Sequence, residues 1–174
     1  MAKRDAITAA RLREILEYDP ETGIFIWKNT KARRIRNGEE AGSIRPFHRG
    51  TELYYRIINV DYSPIGAHRL AWLYMTGEWP TLEVDHIDRD GTNNRWSNLR
   101  LSTSSQNKFN RGMQANNAVG LKGVCWHPQS RKFRATISAH GKQKHLGLFD
   151  CPAAAHFAYI IAAEKMHGEF ARLT

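Results

Sequence analysis

The chain has 174 residues, 41% of them hydrophobic and 10% aromatic, enough apolar surface for one ordinary domain or two small ones and too much for a disordered chain. A net charge of +9 and a sequence pI near 9.8 suggest a polyanionic partner, nucleic acid before an acidic membrane surface. The two cysteines, Cys125 and Cys151, form no C-x-x-C pair and support neither a disulfide framework nor structural zinc; with no apolar run near the ~18 residues of a membrane span and no basic-then-apolar leader, a cytoplasmic protein without a membrane partner is expected.

From the start of the chain, Leu12, Ile15 and Leu16 recur at helical spacing, which predicts a helix from about Ile7 to Tyr18, ended by Asp19-Pro20. A turn at Glu21 to Gly23 leads to a short strand, "IFIW", and "TELYYRIINV" reads as a second strand from its aromatic and β-branched content. Between them, Lys28 to Arg36 holds five Lys/Arg in nine residues, a solvated loop or a phosphate-contacting arm. "AHRLAWLYMTGEWP" reads as a compact helix stopped by Gly77 and Pro80. His68, beside Ala67, Leu70 and Ala71, reads as a hydrogen-bonded framework residue rather than a catalytic one.

The next stretch, "VDHIDRDGTNNRWSNLRLSTSSQNKFN", carries the chemistry. Asp85 and His86 end a strand, "LEVDH"; Asn98-Leu99-Arg100 opens another after a polar turn; Asn107 falls in a helix starting near Ser104. An EF-hand loop fails at both ends, because His86 would occupy its first position and Ser97 its twelfth, where a bidentate Glu is needed. A purely structural turn is the plainer rival, since Asp, Asn and Gly are common turn residues. A hairpin followed by a helix can bring Asp85 and Asn107 together as hard oxygen ligands suited to one Mg2+ or Mn2+, with His86 as a base near neutral pH.

These residues resemble the motif of the His-Asn-His (HNH) endonucleases with the ββα-metal fold, in the subgroup whose third motif residue is Asn. The intervals of twelve residues from His86 to Asn98 and nine from Asn98 to Asn107 fit that subgroup. The resemblance implies that His86 activates water, that Asp85 and Asn107 hold one divalent cation, and that Asn98 pins the loop and helps orient the His. Arg100 is a candidate for steadying the scissile phosphate, with a plain surface charge as the alternative. "LEYDPETGIFIW" and "AHRLAWLYMTGEWP" look like the amino-terminal part of homing-type HNH nucleases of tailed phages.

"NRGMQANNAVG" lacks periodicity and reads as a linker, which divides the chain into residues 1–110, a linker at 111–117, and a second domain over 118–174. There "KGVCWH", "KFRATIS" and "KQKHLGLF" are three β-runs, and an Ala-rich helix follows, capped by Asp150 or Cys151, with Pro152 in its first turn and Gly168 at its end. Phe133, Ala135 and Ile137 alternate with Arg134, Thr136 and Ser138, so one face can bury while the other stays polar. Residues 111–174 carry nine Lys+Arg against three Asp+Glu, and residues 1–110 seventeen against fourteen. This part is similar to the plant ethylene-response (apetala) type of DNA-binding domain, in which the sheet reads the major groove. Lys122 matches a basic contact of that family, whereas Cys125, Thr136, Ser138, Gln143 and His145 stand where the plant domains place Arg, Glu or Trp. The contact candidates are Lys122, Arg134, Thr136, Gln143 and His145; Trp126 is either a stacking residue or core.

The expected fold class is α+β: an N-terminal ββα-metal module plus a C-terminal three-stranded antiparallel sheet on one helix. The expected function is metal-dependent endonucleolytic cleavage of double-stranded DNA, with no small-molecule cofactor and no structural zinc. A monomer is expected, so that a double-strand break would take a dimer or two successive events. The alternatives are a DNA-binding regulator with an inactive nuclease fold, and a nuclease directed at RNA.

Overall fold

In the computed structural model, the described residues are 7–30, 35–47, 52–109, 113, 117–139, 142–171 and 173. The chain divides into two compact units, Met1–Ser102 and Thr103–Thr174. The architecture is mixed, small antiparallel sheets with helices. No helix among the described residues is long and apolar enough to cross a membrane. Residues 31–34, with three of the five basic residues of the run from Lys28 to Arg36, lie outside the described residues, as does most of the predicted linker.

In the first unit, Thr8 caps α1 (Ala9–Ile15) by accepting the Arg11 N–H at 3.2 Å. The helix stops short of the predicted Tyr18. Leu16 is already extended, and β1 (Leu16–Asp19) pairs with β2 (Ile24–Trp27) in antiparallel register, Leu16 opposite Trp27 and Tyr18 opposite Phe25. All four side chains are buried. A period of two overrides the period of 3.6 here, because pairing with β2 buries both Leu16 and Tyr18 on one face. The Asp19 carboxylate then accepts the Glu21 N–H at 2.9 Å and the Thr22 hydroxyl at 2.7 Å, closing the turn.

The predicted second strand is β4 (Tyr54–Val60), and it is the middle of a meander whose outer strands, β3 (Ser43–Pro46) and β5 (Ser63–Gly66), the periodicity did not predict. The β4–β5 connection is the two-residue turn Asp61-Tyr62, both at positive φ, 45° and 64°, which matches the right-handed twist of the strands. Helix α2 (Ala67–Thr76) buries Ala67, Leu70, Ala71 and Leu73 and ends at Gly77, left-handed at φ 85°, whose N–H returns to the Leu73 carbonyl. These join Leu12, Ile15, Phe25, Ile58, Val60 and Ile65 in one core. Strands β6 (Glu83–His86) and β7 (Leu99–Ser102) form a two-stranded ribbon attached to that core through Val84 and Leu99.

The second unit opens with the short helix α3 (Ser104–Phe109), directly after β7 in the chain. Thr103 and Gln106 form a reciprocal cap: the Thr103 hydroxyl accepts the Gln106 N–H at 3.2 Å, and the Gln106 side-chain oxygen accepts the Thr103 N–H at 2.8 Å. Strands β8 (Val124–His127), β9 (Lys132–Ala139) and β10 (Lys142–Phe149) form an antiparallel sheet in the order β10-β9-β8. Behind it lies α4 (Pro152–His167), with Ala155, Tyr159, Ala163 and His167 buried at four-residue intervals. Cys151 occupies the N-cap without a side-chain bond. Both ends of α4 are tied to backbone carbonyls: His156 Nδ1 lies 3.1 Å from the Lys122 oxygen, and His167 Nε2 lies 3.0 Å from the Ser138 oxygen.

The β1–β2 turn also fits closely against the loop that follows β6. Gly23 is left-handed at φ 76°, and a Cβ built on it would fall 2.4 Å from the Asn94 carbonyl carbon and the Arg95 nitrogen. Gly23→Ala is therefore expected to destabilise the first unit by at least about 1–2 kcal/mol from the left-handed backbone alone. Urea denaturation of parent and variant measures this, and an unchanged midpoint would contradict the packing.

Candidate functional site

The β6–β7 ribbon places Asp85 opposite Arg100 and His86 opposite Leu99. Consecutive strand residues point to opposite faces, so Asp85 shares a face with Arg100 and His86 turns to the other. Arg100 grips the Asp85 carboxylate through Nε at 3.1 Å and Nη2 at 3.0 Å on the same oxygen. Side-chain exposures of 14% and 8% make this a buried ion pair and set aside the reading of Arg100 as a plain surface charge; removing either partner would strand a charge in the interior.

Between the strands, residues 87–98 form no ladder and are held by a few backbone bonds, such as the Ile87 N–H to the Asn98 carbonyl at 2.9 Å, and largely by side chains. Asn98 is saturated: its Oδ1 accepts the Asp88 N–H at 3.0 Å, and its Nδ2 donates to Asp88 Oδ1 and to the Asn93 carbonyl, both at 2.8 Å. Asp88 also accepts the Asp90 N–H at 2.8 Å and the Asn93 amide at 2.6 Å. Burial pushes the Asp88 carboxyl up, but these hydrogen bonds outweigh it and hold the group below the usual carboxylate range. Asp88 and Asp90, which resemble part of an EF-hand in sequence, thus spend their oxygens on the loop's own donors. At the loop tip Gly91 lies against the Tyr54 carbonyl and the Tyr55 ring, where a Cβ would come within 2.3 and 2.7 Å.

His86 is 4% exposed. Its Nε2 lies 3.2 Å from Asn94 Oδ1, and its ring packs against Tyr55 and His68, with centroids 5.8 and 5.1 Å away. Burial lowers its pKa most; the Asn94 contact and the charges of Asp88, Asp85 and Asp90 pull it back up, and the net position is below that of an ordinary imidazole. The ring is thus neutral at physiological pH, the form a base requires. His68 departs from the hydrogen-bonded role expected for it: its Nδ1 is buried without a hydrogen-bond partner among the described residues. The reason is packing, since its ring folds back over Gly66, where a Cβ would meet it at 2.6 Å, and lies between Gly66 and the rings of Tyr55 and His86.

Asp85, His86, Asn98 and Arg100 all stand on the β6–β7 ribbon or the loop between its strands, Asp85 and His86 on opposite faces, and Asn107 stands on α3, where its N–H makes the 3.0 Å bond to the Thr103 carbonyl. Among the described residues, no group of three or more His, Cys, Asp or Glu side chains is arranged to hold a metal. A buried carboxylate such as Asp85 offers hard oxygen donors of the kind that a cation such as Mg2+ takes. A separate open cleft of about 520 Å³, lined by Ile44, Leu53, Tyr54, Arg89 and Thr92 among others, includes neither Asp85 nor His86.

In the second unit the outer face of the sheet carries Arg134, with Cys125 and Leu148 opposite it on the flanking strands, then Thr136 opposite His145 and Ser138 opposite Gln143. Gln143 Nε2 donates to the Thr136 hydroxyl at 3.3 Å. Gln143 and His145 are exposed, Arg134 and Thr136 half-buried, and Lys122 lies in the turn before β8. A β-bulge between His145 and Gly147 shifts the register and tilts this edge. Trp126 is 47% exposed and packs edge-on against Phe133, 5.0 Å between centroids.

Sequence reasoning missed Asn94, Tyr18 and Tyr55. Asn94 is buried, and its backbone carbonyl accepts the Tyr18 hydroxyl at 2.7 Å. The only signal in the sequence was three Asn within six residues, Asn93 to Asn98, more than a turn requires.

The HNH endonuclease family model matches residues 66–109. Protein 3.8 of Escherichia phage T7 is 33% identical over 106 residues, covering 60% of this chain and 87% of that protein. A protein of Acanthamoeba polyphaga mimivirus described as an uncharacterised HNH endonuclease is 30% identical over 116 residues, 66% of this chain and 59% of that protein. No solved structure matches the chain.

Burial, with repulsion from His86 second, pushes His68 down to a pKa of about 3. The unfolded ring titrates near 6.5, so on acidification the unfolded chain takes up the proton first, and stability falls from about pH 6.5 toward pH 3. Over pH 7 to 5 this one group should remove about 2 kcal/mol. Denaturant titrations at both pH values are expected to show a shallower loss for His68→Gln than for the parent; equal losses would contradict the buried neutral ring.

Proposed function

Because the chain belongs to the HNH endonuclease family, we propose that it is a metal-dependent endonuclease hydrolysing phosphodiester bonds in double-stranded DNA. Support comes from one observation above the others: a buried, neutral His86 adjoins a buried Asp85 at the end of a strand, with the following loop immobilised by Asn98. His86 takes a proton from water as the water oxygen attacks phosphorus, and the 3′ oxygen departs, leaving a 5′-phosphate and a 3′-hydroxyl. Asp85 and Asn107 would hold one divalent cation, Mg2+ or Mn2+, which supplies charge stabilisation to the phosphate and the leaving oxygen. Asn98 acts on the loop and not on the substrate. Arg100 fixes the orientation of the Asp85 carboxylate.

Domain roles follow the sequence reading: residues 1–110 carry the chemistry, 111–117 link, and 118–174 bind DNA in the manner of the plant ethylene-response domains. The polar outer face of the sheet and the charge surplus of residues 111–174 support this role, with Lys122, Arg134, Thr136, Gln143 and His145 as contacts. The two viral relatives suit a virus-borne, homing-type nuclease acting in the host cytoplasm.

One feature favours the rival reading, a DNA-binding regulator: Arg100 already neutralises the carboxylate that a cation would need. Incubation of plasmid DNA with Mg2+ or Mn2+, beside EDTA and His86→Ala controls, decides between them. The parent is expected to nick or linearise DNA only with metal. His86→Ala should bind as the parent does but cleave at least ~100-fold more slowly, as expected for loss of a general base. DNA that is bound but never cut would support the regulator. In a separate titration of affinity against salt, Lys122→Gln and Arg134→Gln are each expected to lower the slope by about 1; an unaltered slope in the double variant would remove these residues from the interface.

A further inference from the structure

We propose that Asn94 is a positioning residue for this chemistry: its side-chain oxygen fixes the His86 ring with its hydrogen on Nε2, making Nδ1 the nitrogen that accepts the proton from water, and the β1–β2 hairpin holds Asn94 in place. The inference rests on the nuclease reading for its chemistry, though the tautomer itself does not.

Asn94 is 1% exposed. Its Nδ2 donates to the Thr92 carbonyl at 3.0 Å. A carbonyl only accepts, so this bond settles which end of the amide is which. Oδ1 is therefore the atom 3.2 Å from His86 Nε2, and because an amide oxygen also only accepts, the hydrogen between them sits on Nε2. A neutral imidazole carries one N–H, so its basic lone pair is on Nδ1. The other tautomer would set two lone pairs against each other in a buried space. Asn98, the motif asparagine, has all of its side-chain hydrogen bonds inside the loop and makes none of them to His86.

Asn94 is clamped from outside the motif. The Tyr18 hydroxyl donates to its carbonyl at 2.7 Å, the Trp96 N–H donates to the Pro20 carbonyl at 2.9 Å, and Gly23 lets the hairpin turn lie directly on the Asn94–Arg95 peptide. The backbone from the Asn94 carbonyl to Trp96 is thus anchored to β1 and to the turn that follows it. In the reaction, one water O–H bond breaks and its proton goes to Nδ1; the water oxygen bonds to phosphorus as the bond from phosphorus to the 3′ oxygen breaks, and that oxygen takes a proton from solvent.

Two-bond 1H–15N correlation spectra of the full-length, 15N-labelled protein, recorded at alkaline pH where imidazoles are neutral, read the tautomer directly. The His86 signals are those missing from the spectrum of His86→Gln. An Nε2–H pattern is expected, and an Nδ1–H pattern or a mixture of tautomers would overturn the proposal. In cleavage assays Asn94→Leu should lower kcat roughly 10- to 100-fold with KM unchanged; a parental kcat in a folded Asn94→Leu protein would refute the positioning role. If Asn94→Leu does not fold, the spectrum of the parent protein still decides. An Nε2–H tautomer in a protein that cuts no DNA would uphold the tautomer and overturn the nuclease reading instead.

Discussion

The cross-link between Asp88 and Asn98 is the interaction on which the site depends. Two strands of four residues each cannot by themselves fix a long loop between them, since an isolated two-stranded ribbon is marginally stable in water. The loop's backbone has few regular partners, and side chains take their place: one asparagine satisfied on both its oxygen and its nitrogen, one carboxylate accepting from three residues. Such a network is rigid only when every member is satisfied. With the loop fixed, the register of β6 on β7 is fixed too, and with it the faces to which Asp85 and His86 turn.

The amino-terminal elements serve the same loop from the opposite side. Tyr18 and Gly23 belong to a hairpin that buries Leu16, Phe25 and Trp27 in the core, yet they meet the loop at its backbone, 76 residues further along in the case of Tyr18. Helix α2 contributes His68, and β4 contributes Tyr55, so that the His86 ring is enclosed by aromatic faces instead of water. Desolvation and shape therefore come from parts of the chain that carry no motif.

What was legible in the sequence follows from how local each signal was. Helices α2 and α4 were readable from their apolar or Ala-rich content and their end signals, and β9 from its strict alternation. The end of α1 was not, because Leu16 fits the helical and the strand period equally, and only its partner Trp27 decides. Strand β3 is exposed at all four positions and so shows no alternation at all. Within the site, the spacing of Asp85, His86, Asn98 and Asn107 was visible as a pattern, whereas the grip of Arg100 on Asp85 depends on strand register, and the contact of Asn94 with His86 depends on a loop conformation set from a distant hairpin. Pairing partners of that kind leave no periodic trace.

The divergence of Asp85 and His86 to opposite faces of the ribbon has an evolutionary consequence. Each side chain leans on its own neighbours, Arg100 on one face and Asn94, Tyr55 and His68 on the other. A codon change that removes the imidazole leaves the ion pair on the far face with its partners intact. Under the proposed nuclease reading, a lineage can thus lose cleavage in a single step while the far face of the ribbon stays as it was.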